Sequence, residues 1–316
     1  MNHQPLTINP KPSTKINTFS KQSNITILHM KYLLVVLLLS NAFLAQSQPI
    51  ADSVLIEGHY RTFSYNTPAA GISGGNLLFI MHGSGGSAKD MFQKAASLEA
   101  IAASEKLLIV YPDGYQHFWN ECRKYSTAVA NKENINEEAF FNAMIDWFHL
   151  KYRISEKKVF ATGFSGGGHM AYKLAATMPA KIKAIAAIVA NMPDSASCDC
   201  VLAGKALPVL IINGTDDKTN PYNGGEMFVN GSSFGVVRSS ENTFGYWSSL
   251  AGYTGAPTKT LLPDTDPTDQ KIIEAYSYHQ KNKPTITLLK VIGGHHDYPN
   301  DIDVYLYVWN FFKSVK

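Results

Sequence analysis

Cysteine is scarce, with three residues in a chain of 316. That is too few for a disulfide-built scaffold, and no pair of C-x-x-C motifs is present to suggest a zinc site. No apolar run approaches the roughly 18 residues needed to cross a bilayer permanently. There is no internal repeat, low-complexity stretch or interdomain linker. Charge of one sign is also missing from most of the chain. The formal net charge is +3, but residues 1–47 hold four lysines and no acid, so the remainder carries 24 basic against 25 acidic residues. The apparent basicity belongs to the first segment, and the charge count points to neither nucleic acid nor an anionic surface as partner.

What is present begins with a leader. Residues 1–29 are polar. Met30-Lys31-Tyr32 is followed by an apolar run over residues 33–39 and small residues ending in Ala45-Gln46-Ser47. This is the pattern of a signal peptide over residues 30–47, with cleavage after Ser47. Residues 1–29 ahead of a second Met are read as a mis-called start. Export to the periplasm or the extracellular medium is expected, with no stable membrane insertion after cleavage. No Cys follows the apolar run, which argues against a lipid anchor. In an oxidising compartment Cys122 is expected to pair with Cys198 or Cys200, leaving one thiol over.

The whole chain holds 11% aromatic residues within a hydrophobic share of 45%, enough for one large core or two small ones. Residues 54–65 alternate around Glu57-Gly58 and read as a hairpin. Continuous apolar runs at 77–81, 107–111, 159–162, 182–189, 209–212 and 285–292 read as buried parallel strands. Helical spacing covers 88–105, 136–152, 168–178, 241–250 and 303–312. Residues 258–262 and 272–278 read as short strands around an acidic turn. Strands alternating with helices give an α/β class: a mostly parallel central sheet with helices on both faces, one domain, no large lid.

Ligands of such sheets bind at the carboxyl ends of the strands. Gly163-Phe164-Ser165-Gly166-Gly167 sits between a strand and a helix and fits G-x-S-x-G. The two outer glycines give the room a strained serine turn needs. Asp217, in Gly214-Thr215-Asp216-Asp217, and His296, in Gly293-Gly294-His295-His296, also follow strands. Serine is a weak nucleophile and needs a base oriented by a third group. The order Ser165, Asp217, His296 is the α/β-hydrolase order. Residue chemistry alone leaves Asp216 open against Asp217, and His295 against His296. In His82-Gly83-Ser84-Gly85-Gly86, the N–H of Ser84 pairs with that of Gly166 as a candidate oxyanion hole. Tyr115, Trp119 and Tyr222 are candidates for an aromatic substrate-binding wall. No metal or other cofactor is implied, and a monomer is expected. Gly166 leaves no side chain beside the serine, so a more open floor is expected there.

Together, residues 82–86, Tyr111-Pro112-Asp113-Gly114, residues 162–170, 214–222 and 293–299 resemble the secreted esterase family that includes poly(3-hydroxybutyrate) depolymerases and feruloyl or acetylxylan esterases. The resemblance spans nearly all of residues 48–316. It implies the α/β-hydrolase fold and a serine carboxylic-ester hydrolase acting on a polymeric or small ester through an acyl-enzyme. The family's G-T-x-D-x-x-V-P and G-H-x-W-P patterns imply Asp217 as the acid and His296 as the base. The sequence departs from the family at Gly166 (usually Asn or Ala), Asn220 (usually Val), His295 (usually Gly) and Tyr298 (usually Trp). Two rival readings are a serine peptidase on the same fold and a non-catalytic polymer- or carbohydrate-binding protein.

Overall fold

The structure, a computed structural model, describes residues 49–229 and 231–315. The leader, its cleavage site and the true start Met lie outside the described residues. The chain enters as an antiparallel pair, β1 (Ile50–Ile56) and β2 (His59–Tyr65). Then follow β3 (Asn76–Met81), the short helices α1 (Ala88–Lys94) and α2 (Ala96–Ala102), and β4 (Leu107–Pro112). Next come α3 (Val129–Lys132), α4 (Glu137–Tyr152), β5 (Val159–Phe164), α5 (Gly166–Thr177), β6 (Ala184–Ile188) and β7 (Val209–Gly214). The remainder is β8 (Gly225–Val229), β9 (Ser232–Val237), α6 (Ser240–Leu250), β10 (Thr258–Leu261), β11 (Ile272–Tyr278), β12 (Ile286–Ile292) and α7 (Val304–Ser314).

Ten strands form one sheet in the order β1-β2-β4-β3-β5-β6-β7-β12-β11-β10. The six from β4 to β12 run parallel, and the antiparallel hairpins close both edges. Strand periodicity divides the core in two. Leu77, Phe79 and Met81 of β3 face one cluster, with Phe140, Phe141, Met144 and Phe148 of α4 and Trp247 of α6. Leu78 and Ile80 face the other, with Leu98 of α2 and Val308, Trp309 and Phe312 of α7. Both faces of β3 are fully covered, which is why it reads as an unbroken apolar run. Truncating Leu78 to Ala in so closed a layer costs about 2–5 kcal/mol.

One expectation needs correction. Residues 88–105 are not one helix: the chain turns at Ala95 (φ −95°, ψ 17°), which ends α1 and begins α2. The turn lets Leu98 and Ala102 reach the same core as Ala88 and Met91, and no Gly or Pro announces it. A two-stranded hairpin, β8–β9, falls between β7 and α6 in the chain. It lies outside the main sheet and exposes Phe228 and Val236, so apolar alternation is weak there.

Candidate active site

The carboxyl ends of β5, β7 and β12 bring the expected residues together. Ser165 follows β5 with φ 52° and ψ −116°, a conformation L-residues rarely adopt, and caps the start of α5. Its neighbours explain how the strain is held. A Cβ on Gly163 would lie 2.3 Å from the Gly167 carbonyl oxygen, and one on Gly167 would lie 2.3 Å from that of Met81. Only glycine permits this crossing. Ser165 N–H donates to the Ile188 carbonyl (2.8 Å), pinning the turn to β6. Helix α5 begins directly at Gly166, two residues before the periodicity suggested.

His296 Nε2 lies 2.9 Å from Ser165 Oγ, and His296 Nδ1 lies 2.7 Å from Asp217 Oδ2. Asp217 is buried, and its Oδ1 accepts the N–H groups of Thr219 and Asn220, both at 2.8 Å. The geometry therefore separates the candidates the sequence left open. Asp216 is exposed and bonds Thr215; His295 is exposed and points Nδ1 at the Asp216 carbonyl.

Behind Asp217 lies a set of buried amides. The Asn220 side-chain carbonyl accepts Asn191 N–H (3.1 Å). Asn213 Nδ2 donates to Asn191 Oδ1 (2.8 Å) and Ser240 Oγ (2.9 Å), while its Oδ1 accepts Ala190 N–H (2.9 Å). These bonds tie the ends of β6 and β7 to the acid loop and to α6. All four side chains are almost wholly buried, where each unmade bond would cost about 1–3 kcal/mol.

Ser84 faces Gly166 across the nucleophile turn: a Cβ on Gly166 would lie 2.7 Å from Ser84 Oγ and 3.0 Å from Ser84 N. The expected open floor is thus absent, because the Ser84 hydroxyl occupies the space. The loop is pinned by His82, whose Nδ1–H donates to the Gly83 carbonyl (2.7 Å) while Nε2 accepts Gly114 N–H (2.9 Å). That pattern requires a neutral imidazole, and burial pushes the His82 pKa below its ordinary value.

Residues 73–233, half of the chain, match the family model described as Phospholipase/Carboxylesterase. The chain belongs to the phospholipase/carboxylesterase family. NocK of Nocardia uniformis subsp. tsuyamanensis, named as an esterase, is 28% identical over 188 residues, covering 57% of this chain and 53% of NocK. Feruloyl esterase C of Emericella nidulans is 27% identical over 157 residues, 50% of each chain. The chain spans about half the length of the curated relatives it matches. Among solved structures, acetyl xylan esterase from Aspergillus awamori superposes with a TM-score of 0.56 at 15% identity, covering 83% of this chain and 99% of that one. That likeness identifies the α/β-hydrolase fold.

In this carboxylesterase-family chain the expected aromatic wall does not form as drawn. Trp119 is buried, its indole N–H donating to the His82 carbonyl (2.9 Å). Tyr222 is also buried, with Lys290 Nζ 5.1 Å from its ring centre. Tyr115 is half-buried, edge-on to His59 at 4.9 Å. The aromatics beside the base are others: Phe164 lies 5.4 Å from the His296 ring and 4.7 Å from Tyr298. Tyr298 lines a cavity of about 220 Å³ with Lys94 and Ile302. The Asn191–Asn213–Asn220 set and His82 were not singled out from the sequence as supports of the site.

His169, one helical turn after Ser165, is buried, and neither ring nitrogen makes a well-formed hydrogen bond among the described residues. Burial first, then Arg123 and His296, hold it neutral, far below its ordinary pKa. Cys122 pairs with Cys200, one of the two expected partners, and Cys198 is free. Beside the bond, Arg123 pairs with buried Glu121 and packs over Phe234 of the β8–β9 hairpin. Among the described residues no group of three His, Cys, Asp or Glu is arranged to hold a metal.

Proposed function

We propose that this chain is a serine carboxylic-ester hydrolase. The observation that carries the reading is His296, placed between Ser165 and Asp217 at 2.9 Å and 2.7 Å. Nε2 takes the Ser165 proton as Oγ attacks the ester carbonyl. Asp217 fixes the imidazole and offsets its developing positive charge. The N–H groups of Ser84 and Gly166 face the position where the carbonyl oxygen becomes negative, at the positive end of α5. His296 then protonates the leaving alcohol, and water, activated by the same base, frees the acid. Every proton moves between Ser165, His296, the alcohol and water.

Family membership and the esterase names of the relatives support the ester class. Substrates of the feruloyl or acetyl polysaccharide kind, or hydroxybutyrate oligomers, follow from the resemblance. Export is part of the proposal, and the Cys122–Cys200 bond supports it, because such bonds persist in oxidising compartments. Among the described residues no helix is long and apolar enough to cross a membrane. Turnover of p-nitrophenyl acetate, methyl ferulate, acetylated xylan and hydroxybutyrate oligomers by the purified protein tests the reading. Hydrolysis of at least one ester, lost in Ser165→Ala, is expected; equal turnover by that variant would overturn it.

A further inference from the structure

At the end of the sheet opposite Ser165, five lysines line one open cleft: Lys157, Lys181, Lys183, Lys205 and Lys283. Its volume is about 390 Å³, and no acid or aromatic residue lines it. The arrangement follows from topology. Lys157, Lys183, Lys205 and Lys283 stand just before β5, β6, β7 and β12, which are neighbours in the sheet. Lys106 precedes β4 in the same way. Lysines thus gather before successive strands in a chain whose charge after residue 47 is almost balanced. Net charge conceals this clustering.

The lysines are largely uncommitted. Lys181 lies 3.7 Å from Asp146 and 3.8 Å from Glu156, and Lys283 donates to the Gly252 carbonyl (2.6 Å). Lys157, Lys183 and Lys205 are exposed, with no carboxylate within ion-pairing distance among the described residues. Because the strands they precede are neighbours in the sheet, these lysines share one cleft. Like charges in one cleft repel, and an extended polyanion with a charge on each repeat relieves that repulsion.

We propose that this cleft binds a linear anionic polysaccharide, one carrying a carboxylate or sulfate on each sugar. A single-stranded nucleic acid fits less well, because no aromatic platform is present to stack a base. A membrane fits less well because the lysines line a recess instead of flanking a protruding apolar face. The residues of β5 separate the cleft from Ser165 by about 20 Å, so a bound polymer leaves the catalytic end free. The site does not rest on the esterase reading.

Affinity electrophoresis of the full chain through gels containing polygalacturonate, heparin or neutral galactan tests this. Retardation by at least one anionic polymer at low salt, none by galactan, and loss of retardation as salt rises are expected. The triple variant Lys157→Gln, Lys183→Gln, Lys205→Gln should weaken binding at least tenfold, with ester turnover and the melting curve unchanged. A charge-matched control, Lys89→Gln, Lys132→Gln, Lys218→Gln, should bind as the parent does. Equal weakening in both triples, equal retention on galactan, or no retention on either anionic polymer would overturn the proposal. So would tighter binding to a single-stranded oligonucleotide or to phosphatidylglycerol vesicles than to the anionic polymers.

Discussion

Asn220 gives its backbone N–H to Asp217 Oδ1 at 2.8 Å and takes the backbone N–H of Asn191 on its side-chain carbonyl at 3.1 Å. One residue thus joins the acid to the loop that follows β6. The link is made through a side-chain amide that is almost wholly buried. Asn220→Ala should lower kcat about tenfold, ~1.4 kcal/mol of transition-state stabilisation, with KM little changed. Steady-state kinetics corrected for titrated active sites would check this. A change in KM alone would mean the loop shapes the pocket and does not hold the acid.

Gly166→Ala would drive a Cβ to 2.7 Å from Ser84 Oγ and 3.0 Å from Ser84 N. If those two residues form the oxyanion hole, the substitution should lower kcat at least tenfold, toward the ~100-fold typical of a lost donor. Adding Ser84→Gly removes the hydroxyl and keeps both N–H groups, so the double variant should recover part of the loss. Full activity in Gly166→Ala alone would contradict the assignment.

Two buried histidines set an acid limit on stability. The pKa values of His82 and His169 are both depressed from the ordinary 6.5, mainly by burial. Above that value both folded and unfolded chains leave them neutral, and their contribution is fully present. As pH falls below it, the unfolded chain takes up protons that the folded chain refuses, so stability declines through the depressed folded values. Urea unfolding from about pH 7 to pH 5 should show this decline. His169→Gln should make it shallower by up to one proton, about 1.4 kcal/mol per pH unit. An unchanged slope would mean that His169 binds its proton equally in both states.

The Cys122–Cys200 bond closes a separation of 78 residues. Cys200→Ser should cost roughly 2–4 kcal/mol. Cys198→Ser should stay within about 0.5 kcal/mol. Thermal denaturation of the two variants without reductant distinguishes them, and the reverse ranking would make Cys198 the partner.

Much of this architecture was legible because chain chemistry repeats at fixed places. Six apolar runs marked the parallel strands, and Ser165, Asp217 and His296 each follow one. Local order could not decide Asp216 against Asp217, because both lie in one turn; only the fold aims a single carboxylate at the imidazole. Trp119 and Tyr222 misled for the opposite reason. They lie in loops at the catalytic end, yet the loops fold them inward, and sequence carries no sign of which face of a loop is wet. The turn at Ala95 has no breaker residue to reveal it. The β8–β9 hairpin did carry a signal, Asn230-Gly231 between two apolar stretches, the dipeptide favoured in tight hairpins. The row of lysines before successive strands was invisible in net charge and needed strand order to appear.

Labelling of the purified chain by a fluorophosphonate, followed by intact mass and peptide mapping, shows whether Ser165 is a nucleophile. One equivalent of label is expected, carried by Ser165, absent in Ser165→Ala and much slower in His296→Ala and Asp217→Ala. No label on a folded protein, or label on another residue, would contradict it.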